Sequence, residues 1–279
     1  MLLLAILFAG LFSTPATCFN ILGIFPLPAK SHYIVFDALM VGLAERGHNV
    51  TVYNTFPKNY ALPNYAEVSI EECFKFAGNV FSMEKIFERT RRSISKLDTQ
   101  PLLMPSEESV LTCQPLIDLR NSTRSFDLLI TESFVYDFFA LFGYSKKIPV
   151  ILMHSGYPFP WMSTRSALPD NPSYLPAYPS LYFPNEMGFY DRLKNTLLYC
   201  YALYFHKVTS ENRYDKIAPA FFGQGAPRIA DAVRNASLFF FNTHFSMQRA
   251  RPLVPNVVEI GGITVKPPQP LPEVSEIAF

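Results

Sequence analysis

One histidine and two carboxylates carry the chemistry this chain offers. His32 stands in "FPLPAKSHYIVF", where an apolar run gives way to a helical pattern, and Glu132 closes "FDLLITE" with Asp137 five residues further on. An imidazole titrates near neutral pH and can take a proton from a hydroxyl. A carboxylate that accepts its other N–H fixes the tautomer and stabilises the imidazolium once it forms. Either Glu132 or Asp137 can fill that part. Glu132 is the stronger candidate, because ligands of open α/β sheets bind beyond the carboxyl ends of the strands. Against this stands a plainer reading, in which His32 is a solvated residue of a first helical turn and the acids are solvated as well.

The elements that must position these groups surround them. Residues 19–28, "FNILGIFPLP", form a continuous apolar run closed by prolines, as expected of a buried parallel strand. The pattern over 31–46 is helical, with Ser31 as N-cap and Gly47 beyond the end, and "HNVTVYNTF" returns to β-branched and aromatic residues. His32 therefore falls just past the first strand of a βαβ unit. A second unit follows, with a strand over 125–133, a helix over 134–147 and a strand over 148–156. An amphipathic helix is predicted over 80–97, an apolar one over 191–208, and two more strands in "ASLFFFNTHF" and "NVVEIGGI", where "IGGI" implies close backbone approach. The fold class expected is α/β, Rossmann-like, with a mainly parallel sheet.

Residues 157–190 are crowded with proline and aromatic residues and predict a long loop without regular structure, of the kind that is usually functional. Phe134, His154, Tyr157, Phe159 and Trp161 are expected to wall a pocket for flat, greasy, hydroxyl-bearing molecules. The apolar helix after the loop suits the same pocket, plain core packing or contact with a membrane surface. His48 lies at the opposite end of the sheet, and His206 and His244 suit core or edge positions.

Composition excludes several functions. The chain has 279 residues, 49% of them hydrophobic, enough for one large α/β domain. A net charge of +1 with 17% charged residues leaves no footprint for nucleic acid. Gly223 and Gly225 in "FFGQGAPRI" have G-x-G spacing but do not follow a strand, so no phosphate cradle is expected. Beyond residue 18, Cys73, Cys113 and Cys200 are too scattered for a zinc site and allow at most one disulfide. Neither a metal nor a resident cofactor is expected. Residues 1–18 have the pattern of a secretory signal peptide, with cleavage after Cys18. Sequons at Asn49, Asn121 and Asn235 then favour N-glycosylation during passage through the endoplasmic reticulum. No later stretch is apolar for the 18 or more residues a membrane span needs.

Taken together, "ILGIFPLPAKSH", "GLAERGHNVTV", "FDLLITESF", "NPSYLP" and "PNVVEIGGITVKPPQPLP" resemble, in order and over essentially the whole chain after residue 18, the UDP-glycosyltransferases of animals, the insect members above all. The resemblance implies a two-domain GT-B enzyme whose N-terminal half binds a lipophilic acceptor and whose C-terminal half binds the UDP-sugar. It implies that His32 takes the acceptor proton while the hydroxyl inverts the anomeric carbon of glucose or glucuronate. The acid matching Glu132 is usually aspartate in relatives, which leaves Asp137 open as the partner. The chain stops at Phe279, where the family begins its donor-binding half, anchor and basic tail. The expectation is thus an acceptor domain over 19–265 and the start of a linker over 266–279, inactive without its other half. Its partners would be a UDP-sugar co-substrate, bound mainly by the absent half, and a small lipophilic acceptor, with membrane contact and oligomerisation left open. The expected location is the lumen of the endoplasmic reticulum, membrane-associated if an anchor follows, or outside the cell if Phe279 is the true end. The rival expectation is a half-domain that binds lipophilic ligands or a partner without chemistry.

Overall fold

Strands β1 (Asn20–Phe25), β2 (Asn49–Asn54), β3 (Tyr65–Ser69), β4 (Leu128–Glu132), β5 (Val150–His154), β6 (Leu238–Phe241) and β7 (Val257–Glu259) form one sheet in a computed structural model that describes residues 18–74, 106–177, 186–246 and 250–268. Their order is β3-β2-β1-β4-β5-β6-β7 and every pairing is parallel. The expected α/β class and parallel sheet are therefore present. Residues 1–17 of the signal segment over 1–18, the helix over 80–97 and most of the linker over 266–279 lie outside the described residues.

The strands are apolar on both faces because helices cover both. Leu22 and Ile24 of β1 pack into one buried cluster with Leu129 and Leu152, and Ile21 and Phe25 into the other with Ile130 and Met153. Helix α1 (Lys30–Glu45) carries the crossover from β1 to β2. Its N-cap is Ala29 rather than Ser31, because the Ala29 carbonyl already accepts from the backbone N–H groups of His32 and Tyr33 at 3.0 Å. Ser31 thus lies inside the first turn. Gly47 has φ +91°, the left-handed conformation that ends a helix and that glycine adopts at no steric cost.

Other boundaries depart from expectation for local reasons. Residues 134–136 precede any helix, and the segment predicted helical over 134–147 divides into a 3₁₀ turn, Asp137–Ala140, and helix α4 (Leu141–Lys146). Short helices α2 (Glu107–Thr112) and α3 (Gln114–Asn121) come before β4. Inside the proline-rich stretch, helix α5 spans Pro160–Ser166, since a proline at the first helical position loses no intrahelical bond. Residues 172–177 of that stretch are tied down by one side chain. Asn195 of helix α6 (Phe189–His206), fully buried, donates to the carbonyls of Pro172 at 2.6 Å and Leu175 at 2.7 Å and accepts from the Ala177 N–H at 2.7 Å. A π turn, Lys207–Glu211, leads into α7 (Asn212–Phe222), and α8 (Ile229–Arg234) precedes β6. Strand β3, unsignalled in the sequence, is a half-buried edge strand. Gly261 lies just beyond β7, where an added Cβ would meet the Thr243 carbonyl oxygen at 2.5 Å, so the close backbone approach is real although the strand is already over.

Cys73 and Cys113 form the single disulfide among the described residues, closing a separation of 40, while Cys200 is free and exposed. Cross-linking a loop of that length restricts the unfolded chain and contributes about 2–4 kcal/mol. Reduction, or Cys73→Ala with Cys113→Ala, should lower the urea midpoint by that amount of stability; an unchanged midpoint would mean the bridge is not formed.

Candidate active site

Parallel pairing brings His32 and Glu132 together. Strands β1 and β4 are neighbours with Ile24 opposite Thr131, whose hydroxyl donates to the Ile24 carbonyl at 2.7 Å. Both strands thus end at one level, and the chain turns from β1 through Pro28 into the first turn of α1. There His32 Nδ1 lies 2.5 Å from Glu132 Oε1. The Glu132 side chain is fully buried, whereas that of His32 is 21% exposed. Donation from Nδ1 leaves Nε2 as the acceptor in the neutral ring, and among the described residues no group hydrogen-bonds to it. Burial pushes the Glu132 carboxyl above its ordinary range, with a smaller push from Asp137, and His32 pulls the other way.

Three aromatic rings close round this pair. Phe134 lies 5.2 Å from His32 between ring centroids, 5.5 Å from His154 and 5.3 Å from Phe159, and His154 is 6.1 Å from His32. Burial holds the His154 imidazole well below its usual pKa, with His32 adding to the effect, so it is a neutral wall rather than a second base. Its Nδ1, like Trp161 Nε1 and the second oxygen of Glu132, is buried without a hydrogen-bond partner. Phe159 and Trp161 stack at 4.5 Å, and Trp161 is only 2% exposed, so it backs the wall. Tyr157 is turned toward Arg251, whose guanidinium sits 4.3 Å over its ring.

Asp137 belongs to a different cluster. Its carboxylate is bound by Arg165 Nη1 and by the Ser133 hydroxyl at 3.1 Å, with His206 Nε2 at 3.5 Å. Arg165 Nη2 reaches Glu211 Oε1 at 2.5 Å and His206 Nε2 at 3.1 Å, and His206 stacks on Trp161 at 4.3 Å. Burial alone would raise the Asp137 pKa, but Arg165 and His206 together bring it down to about 2. As the alternative partner of His32, Asp137 is therefore excluded: its oxygens are committed to a buried cation. His206 is a member of this cluster and not merely core or edge. His48 lies before β2 at the amino end of the sheet, where its Nδ1 accepts from the Phe19 N–H at 3.3 Å, and His244 is exposed.

The sequence drew no attention to Arg165 or Arg251. Arg251 buries all three guanidinium nitrogens without a hydrogen-bond partner, and burial lowers its pKa to about 10. An arginine in "MQRARPLVP" carries no sequence signal of this kind. The G-x-G pair of Gly223 and Gly225 follows a helix, as its context implied, and Gly225 offers its carbonyl to the Tyr144 hydroxyl at 2.8 Å. No group of metal-ligating side chains occurs among the described residues. Asn49, Asn121 and Asn235 are all exposed.

A family model described as "UDP-glucoronosyl and UDP-glucosyl transferase" matches residues 24–278. A UDP-glycosyltransferase of Dactylopius coccus is 39% identical over 94% of this chain and 50% of its own length. A UDP-glucosyltransferase of the same insect is 37% identical over 97% of this chain and 52% of its own. This chain thus spans about half the length of these relatives. A solved structure described as the glycotransferase of kitacinnamycin overlays with a TM-score of 0.45 at 14% identity, covering 88% of this chain and 51% of that one.

Removing one partner of a buried ion pair strands the other, at a cost of about 3–5 kcal/mol. Arg165→Ala should lower chemical stability by that amount, and a loss below about 1 kcal/mol would show a solvated pair. Because the Asp137 pKa is depressed from 3.8 to about 2, its contribution is complete above the unfolded value and is lost as pH falls through that window. Asp137→Asn should remove that part of the acid dependence.

Proposed function

Since the chain belongs to the UDP-glucuronosyl and UDP-glucosyl transferase family, we propose that it supplies the acceptor site and the proton-accepting base of an enzyme that transfers a hexose from a UDP-sugar to a small lipophilic alcohol or phenol. The observation that carries this reading is the His32–Glu132 hydrogen bond at the carboxyl edge of a parallel sheet, with the other ring nitrogen of His32 uncommitted. Glu132 holds the proton on Nδ1, so the lone pair of Nε2 faces the acceptor hydroxyl. That hydroxyl gives its proton to Nε2 as its oxygen bonds to the anomeric carbon from the side opposite UDP. The anomeric C–O bond breaks, its electrons leave with the diphosphate, and the configuration inverts. The imidazolium formed is stabilised by the buried carboxylate beside it.

Phe134, His154 and Phe159 offer an aromatic wall to a flat acceptor, and the bare His154 Nδ1 can accept a hydrogen bond that orients it. Contacts to the diphosphate would come from a donor-binding half of the GT-B type. Glucose or glucuronate is the sugar, and the exposed sequons suit a luminal, membrane-associated glycoprotein. Without those donor contacts most transition-state stabilisation is missing, so the 279 residues alone are proposed to be inactive.

In the chain completed by its donor-binding half, His32→Ala should lower kcat for a phenolic acceptor by about 10²–10⁴-fold, and Glu132→Gln, which keeps shape and loses charge, should fall in the same range. Folded variants that retain the full rate would overturn the assignment. Saturable phenol binding indifferent to His32→Ala, with no transfer, is instead the result expected of a half-domain that only sequesters lipophilic ligands.

A further inference from the structure

The three sequons share one edge of the sheet, and it is the edge opposite His32. Asn49 opens β2, and Asn235 stands three residues before β6. Asn121 ends helix α3 beside the last turn of α4, where Lys146 Nζ donates to the Ser122 carbonyl at 2.6 Å. All three are exposed, so bulky glycans at these positions would leave the carboxyl edge open. Asn235 differs from the other two in its surroundings. It lines a groove of about 730 Å³ formed by α4, the chain leading into β5, the end of α7 and α8, whereas Asn49 and Asn121 do not.

The lining of this groove suits the flat face of a sugar. Tyr144 is 51% exposed, yet its hydroxyl is pinned by donation to the Gly225 carbonyl at 2.8 Å, so the ring is open on its face and fixed in place. Phe222 adds a second aromatic surface, half-buried and set edge-on to Phe142 at 5.1 Å between centroids. Pro149 and Pro227 give rigid apolar sides, and Lys147 stands exposed at the rim. One face of a hexosamine ring is made of C–H groups, which settle on the electron-rich face of an aromatic ring, while its hydroxyls reach polar groups at the rim. The volume is that of a site for a small molecule. The tether selects which molecule. A glycan on Asn235 is confined within reach of Tyr144 and meets it at an effective concentration far above that of any free sugar.

We propose that Asn235 carries an N-glycan whose first hexosamine rings lie in this groove against Tyr144 instead of extending into water. This rests on the luminal location proposed above, where Asn235 Nδ2 would meet a lipid-diphosphate-linked oligosaccharide. There Nδ2 loses a proton and bonds to the anomeric carbon, and the lipid diphosphate leaves with the electrons of the broken bond. In the whole chain expressed through a eukaryotic secretory pathway, peptide mapping should find glycan on Asn235. A peptide N-glycosidase should release it about tenfold more slowly from the folded wild type than from folded Tyr144→Ala, the effect of one aromatic contact. Tyr144→Phe, which keeps the ring, should retain the slow release. With a ¹³C-labelled glycan, protons of the hexosamine on Asn235 should be shifted upfield by the Tyr144 ring in the wild type, a signature that needs no variant to fold. A chain bare at Asn49, Asn121 and Asn235 would overturn the proposal together with the luminal location. Glycan on Asn49 or Asn121 with Asn235 bare would overturn the proposal alone. So would equal release from wild type and Tyr144→Ala, or unshifted hexosamine protons, either of which would mean a glycan free in solvent. Sedimentation showing that Tyr144→Ala dissociates a dimer would overturn it too and assign the groove to a second copy.

Discussion

The hydrogen bond between His32 Nδ1 and Glu132 Oε1 is the constraint that gives the rest of this structure its meaning. A carboxylate taken wholly out of water is costly unless something compensates it, and here one imidazole does so. That compensation exists only while β1 and β4 stay in register, because a slip of one residue would turn Glu132 to the other face of the sheet. The apolar clusters on both faces hold the register, so the packing far from the site is what keeps the pair together. In return, the pair leaves one ring nitrogen at an exposed edge with a lone pair and a fixed direction.

Two carboxylates five residues apart meet opposite fates, and the difference is instructive. Glu132 ends a strand and faces a titratable ring; burial drives its pKa up. Asp137 opens a 3₁₀ turn and faces a guanidinium that no pH of interest can discharge, and its pKa is driven down. The second arrangement is structural and the first is the one the proposed proton transfer would use, since only a pair that can exchange its proton is of use to an incoming hydroxyl. Arg165 also separates the two acids electrostatically by neutralising Asp137, which would otherwise add a second uncompensated charge beside Glu132.

Much of this was legible in the sequence, and the limits are physical. Continuous apolar runs announce buried parallel strands, and the position of His32 just after one of them places it at the carboxyl edge without any coordinates. Strand β3 escaped because an edge strand need be apolar on only part of one face. Helix α5 carries no plain signal because proline breaks most helices, whereas Pro160 starts this one. The choice between Glu132 and Asp137 could not be made from spacing, because Arg165 lies 28 residues beyond Asp137 in the chain and reaches it only through folding. For α6, composition reported an apolar helix but not its orientation, and Asn195 and His206 are what draw its polar side inward.

The central claim is that Glu132 dictates which nitrogen of His32 carries the proton, and this can be observed directly in the isolated chain. Long-range ¹H–¹⁵N correlation spectra of the ¹⁵N-labelled protein, with His32 assigned by His32→Gln, distinguish the two tautomers of the neutral ring. The account predicts the Nδ1–H form, with a downfield Nδ1 proton that disappears in Glu132→Ala. A neutral His32 protonated on Nε2, or a ring whose spectrum is the same with and without the Glu132 carboxylate, would contradict it.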